Sequence, residues 1–267
     1  MLFALTSLAA AQDVNSLLPI LEVQYGLVEL LEERQFLITD MSVGMVFDGT
    51  QGHSVPVELS RGETVLFVGV GDDERIADLD LYVFDSSGVM LADEGESDAQ
   101  PILEFTAPVD GIYDVRVAVA ETKEEWNGGF FTLTTAVPVG VTPITVMDTF
   151  AMLPLAVELM EAEGLQVIHG ELEVLSKKDV KSVPIDVSDW SYCMAVAVAS
   201  ENRTKKLDMS VYDPYGDLIW TDKKNKQFAF VEFAPGEGGT FDFRMNARKM
   251  RRGYTDTHAV VVVGCME

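Results

Sequence analysis

The decapeptide LDLYVFDSSG at residues 79–88 returns as LDMSVYDPYG at residues 207–216, 128 positions on. The flanks repeat at the same offset. VPVELS (55–60) matches VPIDVS (183–188), VLFVGV (65–70) matches CMAVAV (193–198), and FTAPVDGIYDVRV (105–117) matches FAPGEGGTFDFRM (233–245). One offset shared by so many segments makes the chain a tandem duplication. Whatever one half folds into, the other half must fold into as well. Further upstream, SLLPILEV (16–23) matches AMLPLAVE (151–158) after a short length difference.

Within each copy the apolar residues alternate. Leu79, Leu81 and Val83 point to one face of a strand, and Asp80, Tyr82 and Phe84 to the other. DSSG and DPYG place Asp first and Gly last, as a type I turn prefers. Seven or eight short strands per copy, punctuated by Gly, Pro and Asp, spell an antiparallel β-sandwich. A helical stretch leads each copy. In the first, Leu17, Leu18, Leu21, Tyr25, Val28 and Leu31 recur at helical spacing behind Ser16 as N-cap. In the second, Asp148 or Thr149 caps a segment that stops at Gly164. The expected class is all-β: two tandem, jelly-roll-like antiparallel sandwiches, each preceded by a short helix. Residues 12–140 form the first and 141–267 the second, with VPVGVTP (137–143) at the boundary.

Compartment follows from the ends and the cysteines. MLFALTSLAAAQDV reads as the apolar part of a secretory signal. Ala9 and Ala11 occupy its small-residue positions, so residues 1–11 are a leader and Gln12 opens the mature chain. No later stretch is apolar for long enough to span a membrane as a helix. Cys193 and Cys265 are the two cysteines; an exported chain permits a bridge between them, and spacing alone leaves two buried thiols equally open. A secreted, periplasmic or cell-surface protein is expected.

The residues then carry a family resemblance. The order DLDLYVFDSSG, strand, FTAPVDGIYDVRV, final strand resembles the bacterial pre-peptidase C-terminal (PPC) domain, through Asp78, Asp80, Leu81, Tyr82, Asp85, Gly88, Pro108, Gly111, Tyr113 and Val115. The second copy keeps Asp208, Asp213, Gly216, Pro235, Gly239 and Phe241, with Lys206 where the first has an aspartate. The resemblance implies a β-sandwich accessory module of secreted hydrolases, non-catalytic itself. It also implies that some relatives bind calcium and extended protein substrates.

Chemistry-bearing candidates are few. Asp72, Asp73 and Glu74, close before Asp78 and Asp80, form a carboxylate group suited to Ca²⁺. Its counterpart in the second copy carries Arg203, Lys205 and Lys206, so calcium is expected in the first copy alone. Asp114 and Arg116 recur as Asp242 and Arg244; the expectation is structural ion pairs from Asp80 to Arg116 and from Asp208 to Arg244 across neighbouring strands. None of His53, His169 and His258 recurs, and no G-x-S-x-G elbow or phosphate loop is present, so no catalytic residue is assigned.

Charge defines the partner. At −25 the chain repels nucleic acid. The excess is uneven: up to residue 140 there are five basic residues against 25 acidic, and beyond it 14 against 19. A protein or extracellular polymer is the expected partner, and halves of opposed character allow head-to-tail self-association. The leading reading is an exported, non-catalytic binding or assembly protein. The alternative is a calcium-stabilised accessory subunit presenting substrate to a separate secreted hydrolase.

Overall fold

A computed structural model of the chain describes residues 16–124, 126–139, 146–224, 226–236 and 238–267. The expected leader, residues 1–11, lies outside the described residues, and so does most of the expected boundary, at 140–145.

The first copy runs α1 (Leu18–Glu33), β1 (Phe36–Phe47), β2 (His53–Leu59), β3 (Thr64–Gly71), β4 (Ile76–Phe84), β5 (Met90–Glu94), β6 (Ile102–Thr106), β7 (Gly111–Thr122) and β8 (Gly128–Pro138). The second runs α2 (Met147–Phe150), α3 (Leu153–Ala162), β9 (Gln166–Ser176), β10 (Val180–Asp186), β11 (Tyr192–Ala199), β12 (Thr204–Tyr212), β13 (Leu218–Asp222), β14 (Phe228–Phe233), β15 (Thr240–Met250) and β16 (Asp256–Met266). Each copy divides its eight strands between two sheets, β1-β8-β3-β6 facing β2-β7-β4-β5 and β9-β16-β11-β14 facing β10-β15-β12-β13. That is jelly-roll topology, and it is all-β as expected.

The two sandwiches are not separate bodies. β1 pairs antiparallel with β9, Met41 opposite Leu172, Ser42 opposite Glu171 and Val43 opposite Gly170, so the inner halves fuse into one eight-stranded sheet. Close approach at the seam requires Gly170, because a Cβ there would sit 3.0 Å from Val43 Cβ. Both copies carry the same bulge, at Thr39 in β1 and Ile168 in β9. The bulges set the local offset at 129 and put a pseudo-two-fold axis through the Ser42–Glu171 pair.

Among the described residues three hydrophobic cores result. One lies inside each sandwich, around Phe67, Leu81, Tyr113 and Phe131 in the first and Leu207, Met209, Phe243 and Val261 in the second. The third is shared: the helices of both copies cover the back of the fused sheet with Leu17, Leu21, Val28, Phe150, Val157 and Met160. Fully burying side chains of this size contributes about 1.5–3 kcal/mol each. Gln24 is buried in the same layer and satisfied there. Its Nε2 donates to Thr134 Oγ1 at 2.6 Å and its Oε1 accepts from Thr132 Oγ1 at 2.7 Å.

The helices correct the reading of their alignment. Glu161 Oε1 accepts the Leu17 amide at 3.1 Å, and Glu32 Oε1 accepts the Val146 amide at 2.7 Å. Each copy's helix thus caps the start of the other's, at the offset of 129 that the bulges also give. The repeated Leu-Pro pairs at 18–19 and 153–154 are therefore not equivalent. Pro154 falls where the first copy continues its helix, removes an amide and divides the second helix into α2 and α3. Asp148 lies inside α2 and accepts from Asn202 Nδ2 at 2.6 Å, and Thr149 Oγ1 donates to the His258 carbonyl, so neither is the expected cap.

Candidate functional site

Strand alternation at the seam separates two chemistries. Met41, Val43 and Leu172 face the shared apolar layer, while Asp40, Ser42, His169, Glu171 and Glu173 face the other way, between the two small sheets. The small sheets stop short of one another, leaving a cleft of about 520 Å³ on the pseudo-two-fold axis. Edge strands β2 and β10 wall it with His53, Ser54, Ser182 and Pro184.

The residues that duplication made equivalent have diverged here. Across the axis Asp40 faces His169 in role, Ser42 faces Glu171, and Lys181 stands at the position of His53. Lys181 Nζ lies 2.9 Å from Glu173 Oε2, and His169 Nε2 lies 3.2 Å from Glu171 Oε2. One carboxylate oxygen each from Asp40, Glu171 and Glu173 come within 4.8 Å of one another, the one such trio among the described residues. A cation with 2.3–2.6 Å oxygen contacts could touch all three.

Electrostatics follow from the crowding. Burial, then repulsion from Glu171 and Glu173, pushes the Asp40 carboxyl up to about 8, against the pull of Lys181 and Ser42. Burial also raises Glu173, while its hydrogen bond to Lys181 holds that ammonium above its ordinary value. His53 is pushed down to about 4, by burial and then by His169, so its ring is neutral at pH 7. At neutral pH the cleft therefore holds a protonated Asp40 beside two other carboxyls, and a cation entering would displace that proton.

The predicted site residues have other fates. Asp72 is held by Arg75 Nε at 3.3 Å and by the Glu74 amide at 3.1 Å. The Asp73 carbonyl accepts from Lys123 Nζ. Asp78 and Asp80 lie on β4, where Asp80 Oδ2 accepts the Tyr82 hydroxyl at 2.5 Å. No three of Asp72, Asp73, Glu74, Asp78 and Asp80 reach ligand distance of one another.

The expected ion pairs from Asp80 to Arg116 and from Asp208 to Arg244 do not form. Register sets Tyr82, not Asp80, opposite Arg116, and Ser210, not Asp208, opposite Arg244. Each arginine instead folds back along its own strand, Arg116 Nη2 to Asp114 at 2.7 Å and Arg244 Nε to Asp242 at 2.6 Å. Each also lies over a ring, Phe84 at 4.3 Å and Tyr212 at 4.1 Å. Asp208 accepts from Arg248 Nη1 at 3.2 Å. Cys193 and Cys265 stand directly opposite on β11 and β16 and are bridged, buried, with Cα atoms 4.1 Å apart.

Sequence reasoning missed the cleft. The signal was present in QVIHGELEVLS, where His169, Glu171 and Glu173 occupy every second position of one strand face. Neither β1 nor β9 stood out, because each mixes both faces' patterns and lies outside the segments that repeat visibly.

No family model matches the chain, and no curated protein matches it. Among solved structures, it is similar to the tandem CBM51 modules of Sp3GH98, a family 98 glycoside hydrolase from Streptococcus pneumoniae, at 10% identity and TM-score 0.28, over 80% of this chain and 81% of that one. It is similar to the CBM22-1–CBM22-2 tandem domain of Paenibacillus barcinonensis Xyn10C at 11% identity and TM-score 0.24, over 88% and 96% of the two chains. It is also similar to the M60 catalytic domain with CBM51-1 and CBM51-2 from Clostridium perfringens ZmpB, at 7% identity and TM-score 0.27, over 84% of this chain. The chain spans 36% of the length of that last structure. Likeness at this level assigns no ligand.

Proposed function

We propose that the chain is an exported, non-catalytic binding protein of the cell surface or periplasm, and that the axial cleft takes a divalent cation, calcium being the probe. The observation that carries this is the convergence of Asp40, Glu171 and Glu173 from both copies in one cleft. A carboxyl crowded among carboxyls in mid-sheet costs folding free energy that a valine or threonine would not. Departures from local rules of this kind concentrate at functional sites. The Cys193–Cys265 bridge supports an oxidising compartment.

The test is the melting midpoint of the whole protein in calcium and in EDTA, beside a Glu171→Gln, Glu173→Gln variant. A ligand bound to the folded state stabilises by about 2.7 kcal/mol at a hundredfold excess over its Kd. Calcium should raise the wild-type midpoint and leave the variant where EDTA leaves it. Equal wild-type midpoints in calcium and EDTA refute the reading.

The second reading keeps the cation and adds a host: an accessory subunit that presents substrate to a separate secreted hydrolase. It is favoured by the turns of the PPC resemblance. Asp85 Oδ1 accepts the Ser87 and Val89 amides, and Asp213 Oδ1 accepts those of Tyr215 and Asp217. This reading requires co-purification of a hydrolase from the native secretome, and it fails if the protein elutes without one.

A further inference from the structure

Away from the cleft, one set of loop hydrogen bonds occurs twice; two side chains on it reverse sign, while Asp222, 3.8 Å from Lys224 Nζ, keeps the sign of Glu94. Between β5 and β6, Glu96 N donates to the Glu94 side chain, Asp98 N to the Glu96 carbonyl and Leu79 N to the Asp98 carbonyl, each at 2.9 Å. Between β13 and β14, Lys224 N donates to the Asp222 side chain at 2.9 Å, Lys226 N to the Lys224 carbonyl at 3.0 Å and Leu207 N to the Lys226 carbonyl at 2.9 Å. On this shared frame Glu96 becomes Lys224 and Asp98 becomes Lys226. The strands beside it reverse too: Asp78 stands opposite Glu121 in the first copy, and Lys206 opposite Lys249 in the second.

Like charges set opposite on neighbouring strands destabilise a sheet. Each corner therefore carries a repulsion that a surface of the other sign would relieve. The corners also expose unpaired strand. β6 and β14 are the two terminal strands of the fused sheet, and β5 and β13 are edges of the small sheets. Apolar side chains stand open beside the charges: Ile102 is 57% exposed on β6 at the acidic corner, and Phe228 is 41% exposed on β14 at the basic one. An apolar centre with a charged rim of one sign, on free strand edges, has the composition of an interface.

We propose that a second copy of this chain docks its acidic corner (Glu96, Asp98, Ile102) on the basic corner (Lys224, Lys226, Phe228) of the first, so that copies add head to tail. The pseudo-two-fold puts the corners at opposite ends of the fused sheet. One contact consumes one corner of each copy and leaves the other free. Such a heterologous contact stays open and continues into a filament unless its rotation closes a ring. The inference does not depend on the cleft or on any cation.

Sedimentation of the whole protein over a range of concentrations, at low and at high salt, tests it in EDTA. The wild type should grow in mass with concentration at low salt and return to monomer as salt shortens the screening length to about 3 Å at 1 M. Glu96→Lys with Asp98→Lys gives the loop of the acidic corner the basic signs of its counterpart, and Lys224→Glu with Lys226→Glu gives the loop of the basic corner the acidic ones. All four side chains are exposed loop residues. Each double variant alone should associate about tenfold or more weakly than wild type, since like-charge juxtaposition costs several kcal/mol. An equimolar mixture of the two should associate again, because each reversed loop of one variant then meets a loop of opposite sign on the other. A wild type that stays monomeric at every salt, variants that associate like wild type, or a mixture no larger than its components would each overturn the inference.

Discussion

Asp40→Asn removes the titrating carboxyl from the cleft and keeps a side chain of the same shape. In the folded protein burial and then the neighbouring Glu171 and Glu173 push the Asp40 carboxyl up to about 8, from an ordinary value of 3.8. The folded state thus holds a proton that the unfolded chain has released, and wild-type stability falls as pH rises from near 4 through 8. At pH 7 this difference is on the order of 4 kcal/mol, before water entry into the cleft reduces it. Asparagine has no proton to lose. The variant should match the wild type near pH 4 and exceed it increasingly above pH 5, by up to about 10 °C in Tm at neutral pH. Taking the difference between the two proteins cancels opposite trends from carboxyls such as Asp256, whose hydrogen bonds from Ser176 and Thr255 lower it. The assay is a set of thermal melts from pH 4 to 9 in EDTA. A Tm difference that stays constant with pH, or a variant destabilised throughout, would refute the electrostatic account of the cleft.

Two further predictions concern the frame. Reducing the Cys193–Cys265 bridge, or replacing both residues with alanine, frees a loop spanning 72 positions and should cost about 4 kcal/mol in urea unfolding; a loss under about 1 kcal/mol contradicts the cross-link's role. Gln35 follows α1 with φ of 64°, where the other copy has Gly164 at 77°. Gln35→Gly should stabilise by about 0.5–1 kcal/mol in the same assay, and destabilisation would show that the side chain offsets its strained backbone.

The sequence was most legible where both copies kept the same local chemistry. Turn residues such as Asp85, Gly88, Asp213 and Gly216, and alternating cores such as Leu79, Leu81 and Val83, lie in segments that repeat, so each confirms the other. What escaped lies where the copies differ or meet. β1 and β9 are covered on one face by helices and on the other by a polar cleft, which blurs period two. Their pairing joins residues about 130 apart and leaves no local trace. The repeated Leu-Pro drew the helices into a false alignment, which only the reciprocal caps from Glu32 and Glu161 reveal. Arg116 and Arg244 failed for a matter of register: a shift of two residues on one strand face is invisible to alternation, yet it decides which carboxylate a guanidinium meets.

Amide hydrogen exchange at the seam, followed residue by residue by NMR, tests most directly whether two jelly rolls have become one sheet. If β1 and β9 pair, every amide of residues 41–43 and 170–172 exchanges as slowly as those in the middle of β8 and β16. If the copies are separate sandwiches, alternate amides in both stretches point to water and exchange as fast as those along the free edge of β6.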